Sequence, residues 1–257
     1  MRVHRLSLGM GCAYLLEHGS GLTLVDAGSP GVERVVLRLL ENLRRDGLRL
    51  IYITHAHLDH YGCAAALRRL TGAKIAIHQA DAQAMTDGET HLGLTRGRGR
   101  VVQHLFPLIG KLLRPEPTPP DITLEDGQDL SELGLPARVV QYLFPLIGKL
   151  LHPEPTPPDI TLEDGQDLSA SGLPARVVHT PGHTPGSTCL WVEEGRLAFA
   201  GDLVSTTGGP HVQPYYACDW SLIPASLERL KALHPDKVYP GHGANFLDGE
   251  MLQLLRS

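Results

Sequence analysis

Short apolar runs alternate with stretches of helical pattern over much of this chain. Four of the runs are predicted to be β-strands: residues 48–53 (LRLIYI), 174–178 (PARVV), 196–200 (RLAFA) and 236–240 (DKVYP). Runs of this length, rich in apolar and β-branched residues, are typical of strands. Residues 59–70 (DHYGCAAALRRL) are predicted to form a helix. The alternation of the two patterns indicates an α/β domain.

Each predicted strand is followed within two residues by a histidine or an aspartate. The segments after the strands are, in order, THAHLDH (54–60), HTPGHTPGS (179–187), Gly201-Asp202 and Gly241-His242-Gly243. Sheets of α/β domains usually assemble their binding sites at the carboxyl ends of strands, and the glycines and prolines form tight turns there. We therefore expect these side chains to converge on one site.

The spacing of the histidines and aspartates predicts two metal ions side by side. In an extended chain, residues two apart point the same way, so His55 and His57 can bind one ion. Asp59 and His60 begin the predicted helix and can face a second ion. The predicted ligands are His55, His57 and His183 for one ion, Asp59, His60 and His242 for the other, and Asp202 as the bridge. Imidazole and carboxylate ligands without a thiolate suit zinc, iron or manganese.

These segments resemble the metal motifs of a known family, the metallo-β-lactamase-fold hydrolases. THAHLDH, HTPGHTPGS, AGD (200–202) and YPGHG (239–243) match those motifs in order, and LTLVDAGSP (22–30) resembles the family's opening motif. The resemblance extends from about Leu15 to His242, except that one 38-residue segment is surplus. It implies a four-layer αββα sandwich with the metal site at one edge of the two sheets. It also implies that Asp26 orients a ligand without itself reacting.

The expected chemistry is that of a dinuclear zinc-dependent hydrolase. Two metal ions about 3.5–4 Å apart can hold a hydroxide between them and polarise a carbonyl oxygen. Asp59, a ligand close to that hydroxide, can accept or pass on its proton. The resemblance is to a compact glyoxalase II-like branch, because only 15 residues follow His242. It implies a small-molecule acyl substrate, with a thioester as the leading class, and two zinc ions as cofactors, with iron or manganese as alternatives.

Other branches of the family leave alternatives open. A lactonase of the same fold is one, although Ser205 occupies the position at which some lactonases have a tyrosine. A persulfide-dioxygenase-like oxidoreductase, with a single iron held by two histidines and an aspartate of the same motifs, is another. Zinc β-lactamases usually carry Cys or Ser in place of Asp202, which disfavours that activity. In the loop after the bridging aspartate, the candidate substrate contacts are His211, Tyr215 and Tyr216.

A segment of 38 residues occurs twice in tandem. Residues 103–140 and 141–178 differ at only four positions, which is typical of a recent duplication and unlike the divergent units of a solenoid. The apolar stretch LFPLIGKLL in each copy is predicted to be a helix packed on the sheet or a lid over the site. The second copy ends five residues before His183 and is expected to take the position in the sheet. The first copy would form an extra lobe, enlarge the lid or exchange with a neighbouring chain. We therefore expect one metallo-hydrolase domain over residues 1–257, assembled as a homo-oligomer.

Composition restricts the environment and the partners. The chain is 42% hydrophobic and 20% charged with a formal net charge of −5, an ordinary globular composition. Its short basic run RGRGR (96–100) is predicted to be a loop, so no nucleic-acid partner is expected. The four cysteines form no C-x-x-C pair and are predicted to be reduced thiols. No apolar run approaches 18 residues, so no membrane partner is expected and a cytoplasmic location is predicted.

Overall fold

In a computed structural model of the chain, two β-sheets pack face to face and carry helices on their outer faces. The structure describes residues 1–43, 47–91, 93–95, 153–243 and 246–256. The strands in these ranges are β1 (Arg2–Leu8), β2 (Gly11–His18), β3 (Gly21–Val25), β4 (Leu48–Ile53), β5 (Lys74–His78), β6 (Leu94–Thr95), β7 (Ile160–Leu162), β8 (Arg176–His179), β9 (Thr188–Val192), β10 (Leu197–Ser205), β11 (His211–Val212), β12 (Tyr216–Ala217), β13 (Lys237–His242) and β14 (Leu247–Asp248). The helices are α1 (Glu33–Leu43), α2 (Leu58–Tyr61), α3 (Ala64–Thr71), α4 (Gln79–Asp87), α5 (Ile223–Ala232) and α6 (Gly249–Leu254), with a 3₁₀ turn at Ser169–Ser171.

The first sheet has the strand order β1-β2-β3-β4-β5-β7. Its first three strands are antiparallel neighbours, whereas β3, β4, β5 and β7 run parallel. In β4, Ile51 and Ile53 contact one apolar cluster, and Leu50 and Tyr52 contact another. Alternate residues of a strand point to opposite faces, so β4 is buried on both sides. This explains why its sequence is a nearly continuous apolar run.

The second sheet has the strand order β14-β13-β10-β9-β8, with β11 beside the end of β10. Strands β10 and β13 are parallel, and the other neighbours are antiparallel. Strands β6 and β12 form a separate two-stranded ribbon, in which Tyr216 pairs with Thr95 and Ala217 pairs with Leu94.

Three apolar clusters define the layers. The first packs α1, α3 and α4 on the outer face of the first sheet through residues such as Val36, Leu67 and Met85. The second packs α5 and α6 on the outer face of the second sheet through residues such as Leu227 and Leu252. The third fills the space between the sheets with side chains of β2, β4, β10 and their neighbours. The described residues therefore form the αββα sandwich that the family resemblance implied.

One predicted helix is bounded differently in the structure. The helix expected over residues 59–70 is interrupted, so that α2 ends at Tyr61 and α3 begins at Ala64. Pro30 packs against Gly62 in the gap, and a Cβ at position 62 would lie 2.4 Å from Pro30 Cδ. The prediction of one continuous helix is wrong because the break coincides with a tertiary contact to Pro30, which the apolar pattern of residues 59–70 does not reveal.

The strand predicted over residues 196–200 is also longer than expected. It continues to Ser205, so Asp202 lies inside β10 and not after it. Gly201 adopts a left-handed backbone conformation with φ of 50°, which costs glycine little, and the register with β13 shifts on both sides of it. Beyond this irregularity, Val204 and Ser205 pair with β11 and extend the strand.

The duplicated segment is described only in part. Strands β7 and β8 belong to its second copy and pair with β5 and β9. In the same copy, Asp167 and Arg176 form an isolated antiparallel bridge. The first copy (103–140), both LFPLIGKLL stretches and the basic run 96–100 lie outside the described residues, and the predictions about them stay predictions. Within the described ranges, no helix is long and apolar enough to cross a membrane.

Candidate metal centre

The seven predicted metal ligands come from both sheets and meet at one place. The loop after β4 carries His55 and His57, α2 carries Asp59 and His60, the loop after β8 carries His183, β10 carries Asp202, and β13 ends at His242. They form two groups, His55 with His57, His183 and Asp202, and Asp59 with His60 and His242. Within each group the ligand atoms lie within 4.8 Å of one another. These are called the first group and the second group below.

The first group has the spacing of a metal site. His55 Nε2 lies 3.1 Å from His57 Nδ1, and His183 Nε2 lies 3.0 Å from the same atom. Asp202 Oδ2 lies 3.4 Å from His183 Nε2. Ligand atoms placed tetrahedrally at typical zinc distances are about 3.3–3.5 Å apart. The three histidines and the aspartate therefore surround a space of the size that one ion needs.

The second group has the same spacing and shares Asp202 with the first. His60 Nε2 lies 3.3 Å from Asp59 Oδ2 and 3.3 Å from Asp202 Oδ1. His242 Nε2 lies 3.2 Å from Asp59 Oδ2 and 3.2 Å from Asp202 Oδ2. The Asp202 carboxylate thus contacts histidines of both groups, as a bridging residue must.

Backbone carbonyls orient three of the histidines. His57 Nε2 donates to the His91 carbonyl at 2.9 Å, His183 Nδ1 to the Tyr216 carbonyl at 2.9 Å, and His242 Nδ1 to the Met10 carbonyl at 3.0 Å. A carbonyl oxygen only accepts hydrogen bonds, so the nitrogen that faces outward in each ring carries the proton. The other nitrogen then presents its lone pair to the site, as a metal ligand does.

Asp26 orients the remaining two histidines. His60 Nδ1 donates to Asp26 Oδ2 at 2.9 Å. The Thr54 hydroxyl lies 3.0 Å from both Asp26 oxygens and 3.0 Å from His55 Nδ1. It can donate to the carboxylate and accept from the imidazole, which leaves the lone pair of His55 Nε2 directed into the site. Asp26 is 1% exposed and therefore fixes His60 directly and His55 through Thr54.

The donor set fits metal ions. In the first group, the lone pairs of three neutral rings face one another with no proton between them, and a cation would turn that repulsion into attraction. In the second group, three buried atoms have no hydrogen-bond partner in the described part of the chain: Asp59 Oδ2, His60 Nε2 and Asp202 Oδ1. Buried polar atoms are rarely left without a partner. These orphaned atoms are the ones that a second ion would bind.

The three histidines of the first group are neutral at physiological pH. Burial lowers the pKa of His183 to about 4, and burial also lowers the pKa of His55 and of His57. Neutral imidazole is the form that binds a metal ion, so an ion entering this group displaces few protons.

The second group differs in its charge. Burial alone would lower the pKa of His60, but the carboxylates of Asp59, Asp26 and Asp202 outweigh it and raise that pKa well above its usual value. Burial is outweighed in the same way at His242, whose pKa is also raised. Negative charge is therefore in excess in this group, and a cation would balance it in place of the imidazole protons.

The three predicted substrate contacts differ in what they bond. Tyr216 reaches the centre by its carbonyl, which orients His183. Tyr215 is 37% exposed. His211 Nδ1 donates to the Gly209 carbonyl at 2.7 Å within its own turn. The contact of Tyr216 with the centre is therefore made by its backbone and not by the side chain that the sequence suggested.

Several residues that build the centre were not predicted from the sequence. Thr54 stands beside the histidine motif, and its hydroxyl could have been identified as a partner for Asp26. The carbonyls of Met10 and His91 carry no such signal, because every residue has a carbonyl. Their hydrogen bonds to the histidine rings become apparent only in the folded structure.

Comparison with known proteins agrees with this architecture. A family model described as the metallo-beta-lactamase superfamily matches residues 6–242. The probable metallo-hydrolase YflN of Bacillus subtilis (strain 168) is 26% identical over 260 residues, which cover 94% of this chain and 83% of that protein. The beta-lactamase-like protein 2 homolog of Caenorhabditis elegans is 35% identical over 66 residues, which cover 26% of this chain and only 21% of that relative.

A solved structure extends the comparison to nearly the whole chain. The protein TTHA1623, in a di-iron-bound form, superposes with a TM-score of 0.62 and 24% identity, covering 99% of this chain and 98% of that one. At this identity the likeness shows the fold alone.

Proposed function

The chain belongs to the metallo-β-lactamase superfamily, and on this premise we propose that it is a dinuclear zinc-dependent hydrolase of an activated acyl bond. The proposed substrate class is a small-molecule thioester, as in glyoxalase II-like enzymes. The proposal also assigns His55, His57, His183 and Asp202 to one ion, and Asp59, His60, His242 and Asp202 to the other.

The contacts of Asp202 carry the proposal. Its Oδ2 lies 3.4 Å from His183 in the first group, and its Oδ1 lies 3.3 Å from His60 in the second. A carboxylate placed between two imidazole clusters holds two ions close together, which a single-ion site does not need. When bound, such a pair of ions polarises a carbonyl oxygen and lowers the pKa of a bound water to near 7.

Asp59 is the proposed proton acceptor. Burial would raise its pKa, but His60 and His242 outweigh burial and hold the pKa well below its usual range, so Asp59 is an ionised carboxylate at neutral pH. Its Oδ2 is buried, lacks a hydrogen-bond partner in the described residues and lies 3.2 Å from His242 Nε2. As a ligand of the second ion, this carboxylate would lie beside the attacking water, where it can accept the proton of that water and pass it to the leaving group.

Exposure of the ligands indicates the side from which the substrate approaches. The side chain of His242 is 25% exposed, whereas that of His183 is 3% exposed. The substrate would therefore enter over the second group. Tyr215 and His211 are the proposed contacts for the part of the substrate that does not react.

Thioester hydrolysis by the zinc-loaded chain tests the proposal. Release of thiol from short S-acyl thioesters is followed with a chromogenic thiol reagent, before and after a chelator and after zinc is restored. Asp59→Asn should lower kcat by about 10²–10⁴, as expected for the loss of a general base. Asp87→Asn is the control, because Asp87 lies on α4 and bonds only Gln83 among the described contacts. Lactone hydrolysis without thioester hydrolysis would move the substrate assignment to a lactonase.

Iron is the alternative ion for the same ligands. TTHA1623 has been solved in a di-iron-bound form, and imidazole with carboxylate also suits iron. The assay is therefore repeated with an iron-loaded chain. Oxygen uptake on a persulfide substrate would indicate the oxidoreductase alternative and would contradict the hydrolase.

A further inference from the structure

Asp81 is a buried carboxylate outside the predicted ligand set. It lies in the first turn of α4 and is 3% exposed. Its Oδ2 accepts hydrogen bonds from the Ala56 amide at 2.9 Å and from the Thr184 hydroxyl at 2.7 Å. Its Oδ1 accepts a bond from the Gly186 amide at 2.7 Å. Both oxygens of this buried carboxylate therefore accept hydrogen bonds from the protein.

The three donors belong to the two loops that carry the first group. Ala56 stands between His55 and His57, in the loop that follows β4 of the first sheet. Thr184 and Gly186 follow His183, in the loop between β8 and β9 of the second sheet. One carboxylate therefore joins two loops that come from different sheets.

The loop between β8 and β9 packs closely against the Asp81 carboxylate. A Cβ at Gly186 would lie 2.6 Å from both Cγ and Oδ1 of Asp81, so a larger residue would push the two apart. The Thr184 hydroxyl and the Ser187 hydroxyl lie 2.8 Å apart, and the Ser187 hydroxyl accepts from the Thr184 amide. This turn directs the Thr184 hydroxyl towards Asp81.

We propose that Asp81 is a positioning residue that sets the separation of His183 from His55 and His57, and thereby the affinity of the first group for its ion. The inference rests on the proposed metal centre. The second group has other supports, since His60 bonds Asp26 and His242 bonds the Met10 carbonyl. The effect of Asp81 is therefore selective for the first group.

Asp81→Asn tests this with little change of volume. If the new amide nitrogen takes the place of Oδ1, it faces the Gly186 amide; if it takes the place of Oδ2, it faces the Ala56 amide. In both orientations two donors oppose each other, so at least one hydrogen bond between residue 81 and a loop is lost. Loss of a group that orients metal ligands typically weakens binding about 10–100-fold. We expect that loss for one of two zinc ions, and less than about twofold for the other.

Two variants control for general damage. Asp159→Asn makes the same change at a carboxylate away from both loops, where Asp159 Oδ2 accepts from the Ile75 amide at 2.8 Å at the start of β5 and from Arg68 at 3.4 Å. It should leave both affinities within about twofold of wild type. Thr184→Val removes one donor and keeps the carboxylate, so it should weaken the first ion by less than Asp81→Asn does. It also serves if Asp81→Asn does not fold.

The experiment combines zinc competition against a chromophoric chelator with amide hydrogen exchange of the metal-free chain. NMR spectra that correlate the ring nitrogens of each histidine with its ring protons identify which group loses its ion. Weakening confined to the first group, with faster exchange at Ala56 and Gly186, supports the inference. Unchanged affinity in Asp81→Asn, or equal weakening of both ions with faster exchange throughout the sheets, would overturn it. A wild-type chain that binds no zinc would overturn the proposed function, while the exchange at Ala56 and Gly186 would still test whether Asp81 joins the loops.

Discussion

Gly241 leaves no room for a side chain beside the metal centre. A Cβ at this position would lie 2.3 Å from Asp202 Oδ1 and 2.7 Å from His60 Cε1. Ordinary van der Waals contacts begin at 3.4 Å. The new methyl group of Gly241→Ala would therefore be too close to Asp202 Oδ1 by about 1.1 Å (3.4 less 2.3). Either the carboxylate or the strand that carries His242 has to move.

The expected effects follow from that displacement. Metal–ligand distances tolerate only about 0.2 Å, so a shift of about 1 Å should remove Asp202 from at least one ion. We expect zinc affinity to fall at least about 10–100-fold and the rate to fall about 100-fold. The metal-free chain should lose about 1–3 kcal/mol of unfolding free energy, the usual cost of an overpacked site.

Three measurements on one pair of variants check this. Zinc competition, kcat/KM on a thioester and denaturant unfolding of the metal-free chain are compared for Gly241→Ala and Gly19→Ala. Gly19 is the control, because a Cβ there meets nothing within 4 Å. Wild-type zinc affinity and activity in Gly241→Ala would refute the assignment of Asp202 as the bridge, since the bridge could not have kept its place.

Three further predictions follow from the site and the repeat. Asp202→Ala should abolish activity and bind at most one ion, as measured by elemental analysis; full activity would contradict its role. The carboxylates raise the pKa of His60 and His242, so both are protonated near pH 7 without metal, and zinc must displace those protons. Zinc affinity should therefore rise with pH until both rings have lost their protons, which requires a pH well above the usual histidine pKa of about 6.5. Calorimetric titration in buffers of different ionisation enthalpy should detect proton release; a heat independent of the buffer would contradict this. Deletion of residues 103–140 should change the oligomeric state or the kinetics, by light scattering and steady-state assay, and a monomer with unchanged stability and kinetics in both forms would contradict the proposed swap or lid.

The meeting of the candidate metal ligands at one place could be predicted because it depends on local pattern. His55 and His57 follow an apolar strand directly, and His242 ends another, so strand prediction alone places them at the same edge of the fold. The layers were implied by the resemblance of these motifs to the family. The lengths of the elements did not, as β10 shows: its continuation past Gly201 depends on pairing with β11 and β13.

The supports of the ligands depend on contacts that local pattern does not contain. Asp81 is 25 positions from Ala56 and 105 positions from Gly186 in the chain, yet bonds both. In the sequence it is one acidic residue in a helix, a position usually exposed to solvent. Only the packing of α4 against both loops distinguishes it from Asp87, which lies on the same helix.

Metal content per chain tests the central claim most directly. The untagged protein is loaded with zinc, freed of excess ions and measured by elemental mass spectrometry against chain concentration. The ligand geometry predicts two zinc ions per chain. It predicts one ion per chain in a variant that has lost a ligand of the second group, such as His242→Ala. One ion or fewer in the loaded wild-type chain would contradict a dinuclear centre, and a single tightly held iron would favour the oxygen-dependent alternative.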